Sequence, residues 1–267
     1  MKETKTYQAL WCNSGVPETR SLELIGEEPL LIRIDDKPYL VVMRTPGEEL
    51  FQTAGFCLGE GIADSPDDFE NIGYDKDLDP NIVDIWLKSE RREKIQDLLM
   101  RKRLVSQTSC GICGKEMIEE LHQILTPAED SFEVESSVVF DCINTLSNKQ
   151  KFYQTTRGSH AALIFDDQLN VISFAEDVGR HNAVDKAIGE AFMNRTLDKG
   201  RILVLSSRVS YELVQKAARA HLPMTISNSR PTTLAAEMGQ ALNMTLVFPA
   251  EESGLIIVFG KNRIKRE

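Results

Sequence analysis

The sequence predicts a mixed α/β fold in two parts: a mostly β amino-terminal domain with helices, then a carboxy-terminal domain of three layers, α/β/α. Strand-like runs dominate the chain up to about residue 135. From there, helical and strand-like segments alternate to the end, which is typical of a mostly parallel sheet covered by helices on both faces. We therefore predict one domain at residues 1–135 and a second at residues 136–267.

Apolar patterning predicts the elements of the first domain. Apolar runs and alternation indicate strands at 21–25, 30–34, 39–43 and 82–87. The polar sequence Asp35-Asp36-Lys37 lies between two of these runs and predicts a hairpin turn. Apolar residues at helical spacing predict a helix over 48–60, and the charged segment 88–103 has similar spacing. A polar loop and a linking helix at 115–125 end this domain.

The second domain is predicted from the spacing of its apolar residues, which alternates between that of helices and that of strands. A first helix has Val139, Ile143 and Leu146 on one face, and a later one has Val184, Ile188 and Ala191 as its buried stripe. Further helices are expected at 211–220 and 232–241. The predicted strands lie at 161–165, 171–174, 202–205, 224–226, 244–248 and 255–259.

Composition excludes several classes of protein. The 267 residues carry a formal net charge of −10, which argues against general nucleic-acid binding, since that is driven by neutralisation of phosphates. No stretch approaches the roughly 18 consecutive apolar residues of a membrane span. The first residues, MKETK, have no apolar core of a secretory signal, and five cysteines do not suggest a disulfide framework. These features favour the cytoplasm.

One cysteine pair has the spacing of a reactive motif. Cys110-Gly111-Ile112-Cys113 follows a polar run and precedes an amphipathic helix, so that Cys113 is expected near a helix N-terminus, which favours a thiolate. A nucleophilic, sulfur-carrying cysteine fits this setting best. Half of a structural zinc site is an alternative, although no second pair supplies further ligands. A thioredoxin-type redox motif is another, although a strand does not directly precede the pair.

Three predicted strand ends could together hold an anion. Each leads into a helix and carries an arginine with small hydroxyl residues nearby; the arginines are Arg180, Arg208 and Arg230. Backbone N–H groups at helix starts and arginine side chains are the donors that phosphate requires. Loops at the carboxyl ends of strands gather at one edge of an α/β sheet. Taken singly, Ser207, Ser210 and Thr232 are better interpreted as N-caps, whereas the three arginine-bearing loops together favour an anion pocket. His160 and His181 are expected in the same pocket, or as structural histidines.

These motifs occur in an order that resembles the FdhD family of formate dehydrogenase accessory sulfurtransferases. The resemblance extends over nearly the whole chain, and its longest segment, EDVGRHNAVDK at 176–186, is highly specific. The other shared segments are EPL at 28–30, MRTPG at 43–47, GF at 55–56, EGI at 60–62, SCGICG at 109–114, RGSH at 157–160, SR at 207–208 and PT at 231–232.

The resemblance implies a sulfur relay. Members of the family take sulfur from a cysteine desulfurase as a persulfide on the CxxC loop. They pass it to the molybdenum cofactor, bis-molybdopterin guanine dinucleotide, for formate dehydrogenase; a guanine nucleotide is expected to mimic this ligand. The family also implies a homodimer and a carboxy-terminal domain similar to the cytidine deaminase fold. Deaminase chemistry is not expected, because no His or Cys is followed two residues later by Glu.

Two site assignments depend on this resemblance. The family's persulfide position corresponds to Cys110, whereas the helix argument favours Cys113, which we retain as a resolving or supporting thiol. The family's arginine-bearing cofactor segment corresponds here to Phe248, Pro249, Ala250, Glu251, Glu252 and Ser253, which contain no arginine. Either Lys261 and Arg263 substitute for it or the contact is weakened. The alternative function is a non-catalytic chaperone that binds the cofactor.

Overall fold

The computed structural model describes residues 2–13, 15–75, 79–97, 99, 125–129, 132–251 and 254–265. Its amino-terminal part contains a hairpin and a four-stranded sheet in the order β4-β3-β6-β5. The elements are β1 (Thr4–Trp11), β2 (Glu18–Ile25), β3 (Glu28–Ile34), β4 (Lys37–Arg44), α1 (Glu49–Gly59), β5 (Phe69–Asp75), β6 (Asp79–Leu87) and α2 (Ser89–Lys94).

The predicted elements of this part are present. The four predicted strands lie within β2, β3, β4 and β6, and the helix expected at 48–60 is α1. Asp35 and Asp36 form the predicted turn between β3 and β4, both with positive φ, 48° and 64°. Two such residues in succession give the turn that matches the twist of a hairpin. The helix expected over 88–103 begins with α2, and residues 96, 97 and 99 are also helical; residues 98 and 100–103, like the linking helix expected from residue 115, lie outside the described residues apart from Leu125.

The carboxy-terminal part is built on a six-stranded sheet in the order β13-β12-β11-β10-β8-β9. Its elements are β7 (Val134–Glu135), α3 (Ser136–Lys149), α4 (Lys151–Thr156), β8 (His160–Phe165), β9 (Val171–Asp177), α5 (Arg180–Met193), β10 (Ile202–Leu205), α6 (Tyr211–Arg219), β11 (Met224–Ser227), α7 (Thr233–Ala241), β12 (Thr245–Pro249), β13 (Leu255–Phe259) and β14 (Ile264–Lys265).

The expectation of a mostly parallel sheet is wrong. Only the β10–β11 and β11–β12 pairings are parallel, and the other three pairings of this sheet are antiparallel. The reason is the length of the connections: β8–β9 and β12–β13 are joined by short links that allow only an antiparallel return. Helical crossovers through α6 and α7 produce the two parallel pairs. The cytidine deaminase-like topology stays a prediction.

Four strands nevertheless end at the same edge of the sheet. β9 and β10 both run antiparallel to β8, and β11 and β12 run parallel to β10, so these four strands share one direction. We call the edge where they end, at Asp177, Leu205, Ser227 and Pro249, the carboxyl edge. The amino end of β8, at His160, lies at the same edge, because His160 pairs with Asp177.

Alternating side chains divide the core into two layers. Ala161, Leu163 and Phe165 pack in the cluster that contains α3, whereas Ala162 and Ile164 pack in the larger cluster with α5, α6 and α7. Successive side chains of a strand point to opposite faces of the sheet. Both faces therefore carry apolar side chains, and helices cover both of them. The larger cluster also includes residues of β3, β6 and α1, so the two parts of the chain share a core. The domain boundary at residue 135 stays a prediction.

A close crossing of α1 and α5 joins these two parts. A Cβ atom on Gly55 of α1 would overlap the carbonyl oxygen of Asp185, and one on Gly189 of α5 would overlap that of Phe51. Glycine at both positions lets the helix backbones approach more closely than any side chain allows. This crossing places the start of α5, which borders the carboxyl edge, against the amino-terminal part.

We expect Gly189→Ala to lower the free energy of unfolding by about 2–3 kcal/mol, because the added methyl group forces α1 and α5 apart. Urea unfolding at neutral pH measures this change. Gly73→Ala in β5 is the matched control, since a Cβ there meets no atom within 4 Å, and we expect a change within about 0.5 kcal/mol. Equal stability of the two variants would contradict the close crossing.

Candidate functional site

The loops at the carboxyl edge are tied to one another by backbone contacts. The loops after β10 and β11 meet in a bridge between Val209 and Pro231, and the Thr232 N–H donates to the Val209 carbonyl at 3.0 Å. The Ser227 hydroxyl donates to the Ser207 carbonyl at 2.8 Å. The structure thus brings together the loops that carry Arg208 and Arg230 and fixes their backbones. Thr232 also caps α7 by accepting from the Ala235 N–H.

The arginines of this edge differ from those elsewhere in the chain. Within the described residues, the guanidinium groups of Arg180, Arg208 and Arg230 form no hydrogen bond or ion pair. Arginines away from the edge bind carboxylates, among them Arg33, Arg44, Arg91, Arg92, Arg195 and Arg219. Arg208 and Arg230 are exposed, and Arg180 is half-buried. None of these guanidinium groups is in an ion pair within the described residues, although the charge of Arg180 helps to lower the pKa of Glu212. The three positive charges make the edge suitable for an anionic ligand.

His160 lies in the field of two of these arginines. Burial of the imidazole lowers its pKa, and the positive charges of Arg180 and Arg208 lower it further. The ordinary pKa of histidine is 6.5, so His160 is neutral at neutral pH. A neutral imidazole offers one hydrogen-bond donor and one acceptor. The ring therefore contributes hydrogen bonding, and no charge, to the carboxyl edge.

His181 forms a close pair with Glu212 at the start of α6. Its Nε2 lies 2.6 Å from a Glu212 carboxylate oxygen, and the hydrogen bond from His181 holds the pKa of Glu212 below its usual value. The Ser210 hydroxyl is 3.4 Å from the same Nε2 atom. A hydrolytic triad needs its serine and carboxylate on opposite ring nitrogens. The arrangement is therefore not that of a serine hydrolase.

Other polar residues of the EDVGRHNAVDK segment are structural. Asp177 is 0% exposed and Lys186 is 2% exposed; they form an ion pair of 2.8 Å. Asp177 also accepts hydrogen bonds from the Thr45 N–H at 2.9 Å and from the Asn182 amide at 2.9 Å. The Lys186 ammonium donates to the Thr45 carbonyl at 2.8 Å. This buried network joins the 43–47 segment to the amino end of α5.

The neighbouring residue Glu176 fixes the other side of the edge. Its buried carboxylate accepts from the N–H groups of Phe152 and Tyr153, each at 2.9 Å, at the start of α4. The Ser159 hydroxyl donates to the same carboxylate at 2.7 Å. An acidic side chain at a helix N-terminus is electrostatically favourable. Glu176 therefore holds both α4 and the RGSH segment in place before β8.

A pocket of about 540 Å³ opens between α3, α4 and the carboxyl edge. Its lining is polar, with one aromatic ring, and consists of Ser147, Gln150, Tyr153, Gln154, Arg157, Gly158, Ser159, His160, Ser206 and Asn228. The Arg157 guanidinium lies 5.2 Å from the centre of the Tyr153 ring. Sequence reasoning missed Gln150, Tyr153 and Asn228. Polar residues at helical spacing, Ser147, Gln150 and Gln154, were the signal available for this wall.

The segment at 248–251 lies beside the same edge. Phe248 is buried at the end of β12, Pro249 and Ala250 are half-buried, and Glu251 is exposed; Glu252 and Ser253 lie outside the described residues. The suggestion that Arg263 replaces a missing arginine here is wrong. Arg263 is 1% exposed, and its guanidinium donates to the Thr245 hydroxyl at 3.1 Å and the Glu129 carbonyl at 2.9 Å.

The predicted sulfur-carrying pair, Cys110 and Cys113, lies outside the described residues. Of the three cysteines that the structure describes, Cys12 is exposed, whereas Cys57 and Cys142 are buried. Burial raises the pKa of Cys142 to about 12, which makes this thiol a poor nucleophile at neutral pH. In the described ranges no group of three or more histidine, cysteine and acidic side chains is arranged for a metal ion, and no helix is long and apolar enough to cross a membrane.

The fold and the carboxyl edge define a mixed α/β protein in which three arginines without an ion pair among the described residues lie at an edge beside a polar pocket. Residues 25–265 match the model of the FdhD/NarQ family, and the chain belongs to this family. The sulfur carrier protein FdhD of Streptomyces coelicolor is 33% identical over 98% of this chain and 95% of that protein. The protein of the same name from Sulfurisphaera tokodaii is 31% identical over 86% of this chain and 88% of that protein.

A solved structure has the same fold. It is described as a putative formate dehydrogenase accessory protein from Desulfotalea psychrophila, and it matches 99% of this chain and 100% of its own with a TM-score of 0.78. Sequence identity is 19%. The match confirms the mixed α/β architecture.

We expect Lys186→Met to lower the free energy of unfolding by about 3–5 kcal/mol, because it leaves the Asp177 carboxylate buried without its counter-charge. Chemical denaturation measures the change. The double variant Asp177→Asn/Lys186→Met should lose less than the sum of the two single variants. Arg195→Ala, which breaks the exposed pair with Asp67, is the control and should cost less than about 1 kcal/mol. Additive losses in the double variant would contradict the coupling.

We expect the ring of His160 to titrate below 6.5, its ordinary value. The unfolded chain then takes up this proton first, so the contribution of His160 to stability falls as pH decreases below that value. Arg208→Ala should raise the midpoint, because it removes a positive charge near the ring. Histidine ring proton shifts in NMR spectra measure both midpoints. The control is Arg195→Ala, which should leave the midpoint unchanged; a wild-type midpoint at or above 6.5 would contradict the assignment.

Proposed function

We propose that this chain is a cytoplasmic sulfur carrier for formate dehydrogenase. It accepts persulfide sulfur from a cysteine desulfurase on the CxxC segment and transfers it to the molybdenum cofactor, bis-molybdopterin guanine dinucleotide, which is the substrate. Family membership supports the sulfur-carrier role, since curated relatives are named sulfur carrier protein FdhD. Cys110 is the acceptor in this proposal, Cys113 assists it, and the active species is a homodimer of two-domain subunits.

The observation that carries the ligand part of the proposal is the cluster of unpaired arginines. A guanine dinucleotide brings a diphosphate group, and the guanidinium groups of Arg180, Arg208 and Arg230 at the carboxyl edge are in no hydrogen bond or ion pair with the described residues. Arginine binds phosphate oxygens through two parallel N–H donors, so such side chains suit a diphosphate. His160 and His181 add hydrogen-bonding capacity at the same edge. In this proposal the backbone at Ser207 and at 248–253 borders the ligand.

The covalent step follows thiol exchange chemistry. The Cys110 thiolate attacks the terminal sulfur of the desulfurase persulfide, and a new S–S bond forms as the old one breaks. The desulfurase cysteine leaves as a thiolate, so the step needs no external oxidant or reductant. In the delivery step a nucleophile of the acceptor attacks the terminal sulfur, and Cys110 leaves as a thiolate. The same side chain is thereby returned to its starting state.

We expect the wild-type chain to gain sulfur mass after incubation with a cysteine desulfurase and cysteine. A reducing agent should remove the added mass, because a persulfide is reducible. Cys110→Ala should abolish the gain, and Cys113→Ala should reduce or destabilise it. Intact-mass spectrometry measures each species. Cys12→Ala is the control, since Cys12 is exposed and stands outside the CxxC motif.

The alternative function, a chaperone that binds the cofactor without carrying sulfur, makes a different prediction. A Cys110→Ala/Cys113→Ala variant that still activates formate dehydrogenase would favour the chaperone. Loss of activation with retained nucleotide binding would favour the carrier. A wild-type chain that gains no sulfur beside an active desulfurase would overturn the carrier proposal.

A further inference from the structure

His181 and Glu212 form a pair between two helices at the carboxyl edge. His181 lies in the first turn of α5, and Glu212 lies in the first turn of α6. The Nε2 atom of His181 is 2.6 Å from a Glu212 carboxylate oxygen, whereas its other ring nitrogen, Nδ1, makes no hydrogen bond with any described residue. The side chain of His181 is 30% exposed. Nδ1 is therefore the ring nitrogen that is left for a ligand.

A second pair, one turn further along both helices, fixes the first. The Lys216 ammonium donates to the Asp185 carboxylate at 2.6 Å, and the two side chains are 8% and 6% exposed. Asp185 follows His181 by four residues in α5, as Lys216 follows Glu212 in α6, so the members of the two pairs are neighbours on each helix surface. The distance between His181 and Glu212 is thus set by an ion pair in the protein interior.

A charged imidazole in this position is stabilised by an anion at each ring nitrogen. The N-terminus of a helix carries partial positive charge, so a cation in the first turn of α5 is unfavourable by itself. Glu212 supplies a negative charge at Nε2, and an imidazolium also donates from Nδ1. An anion is the partner that suits this second donor. The helix N-terminus and the adjacent Arg180 favour the same anion.

We propose that Glu212 is a positioning residue for the anion site: it holds His181 by Nε2, so that the charged ring donates from Nδ1 to a phosphate oxygen of the ligand. This inference rests on the proposed function, in which a diphosphate binds beside Arg180 and Arg208. One proton passes from solvent to Nδ1 as the anion binds to a neutral ring, and it returns to solvent when the anion leaves. Ligand affinity therefore falls as pH rises through the titration of His181.

Charged and titratable groups from several elements surround this pair. They are Tyr211, Glu212 and Lys216 of α6, Arg180 and Asp185 of α5, His160 of β8, Asp177 of β9 and Arg208 of the loop after β10. Asp185 and Asp177 are already bound to lysines, and His160 is neutral. Among the described residues, Glu212 is the carboxylate in contact with the ring, so its replacement tests the inference directly.

The test follows the titration of the histidine rings by NMR, with inorganic sulfate as the ligand and the full chain as the sample. Sulfate is tetrahedral like phosphate, and its charge does not change between mildly acidic and mildly alkaline pH. Saturating sulfate should raise the titration midpoint of His181 by about one pH unit, which corresponds to a tenfold preference of the anion for the charged ring. The chain has four histidines, and the signal of His181 is identified by its loss in His181→Gln.

Glu212→Ala should reduce this rise to less than about a third of a pH unit, because a ring that is no longer held can turn Nδ1 away from the anion. Glu212→Gln should restore most of the rise, since the amide oxygen still accepts from the Nε2–H group. Glu237→Ala is the matched control: it removes an exposed carboxylate of α7 that has no hydrogen bond or ion pair among the described residues. The midpoint of His160 should rise with sulfate in every Glu212 variant, which reports that the anion still reaches the edge.

An equal rise in Glu212→Ala and the wild-type chain would overturn the inference, as would a His181 midpoint that stays constant while that of His160 rises. Arg208→Ala separates this inference from the proposed function. Weaker sulfate binding in Arg208→Ala without any rise for His181 would leave the arginine site and remove the role of Glu212. A rise for His181 with undiminished binding in Arg208→Ala would do the reverse. Persulfide formation on Cys110 is measured separately and depends on neither result.

Discussion

The buried ion pair of Asp177 and Lys186 is the constraint on which the arrangement of the site depends. A carboxylate removed from water requires partners for its charge and its lone pairs, and Asp177 obtains them from Lys186, Asn182 and the backbone of Thr45. Each partner belongs to a different part of the structure or a different turn of α5. The position of the amino-terminal segment and the start of α5 are therefore set by one group, and neither can shift without leaving a charge unpaired.

The same constraint separates residues that hold the structure from residues that face a ligand. Glu176 and Asp177 are adjacent at the end of β9, so their side chains point to opposite faces of the sheet. Glu176 fixes α4 and the RGSH segment, while Asp177 fixes the 43–47 segment and α5. Arg180 follows directly in a segment held on both sides. Its backbone is thus fixed before any ligand arrives, which lowers part of the ordering cost of binding.

The helices, the strands and the meeting of loops at one edge of the sheet could be predicted from the sequence. The spacing of apolar residues and the turn residues are local signals. The direction of the strands was harder to predict. The short links of β8–β9 and β12–β13 produce antiparallel pairs, and the alternation of helices and strands along the chain does not indicate them. The burial of charged side chains also could not be predicted from the sequence. Lys186 and Arg263 look like candidate ligand residues in a sequence, and only tertiary contacts reveal that their charges are already used.

Charge and specificity at this edge come from different groups. Unpaired arginines attract every polyphosphate, and ordinary nucleotides carry the same phosphates as the proposed substrate. Electrostatic attraction of this kind raises the rate and strength of association but does not distinguish one ring from another. Discrimination requires uncharged groups with fixed donors and acceptors in a site that leaves a wrong partner unsatisfied. The pocket beside the arginines offers such groups, since its lining is polar and contains no acidic residue, and burial together with the arginines favours an uncharged His160 ring. The cluster that attracts the phosphates therefore also keeps this ring of the neighbouring pocket neutral.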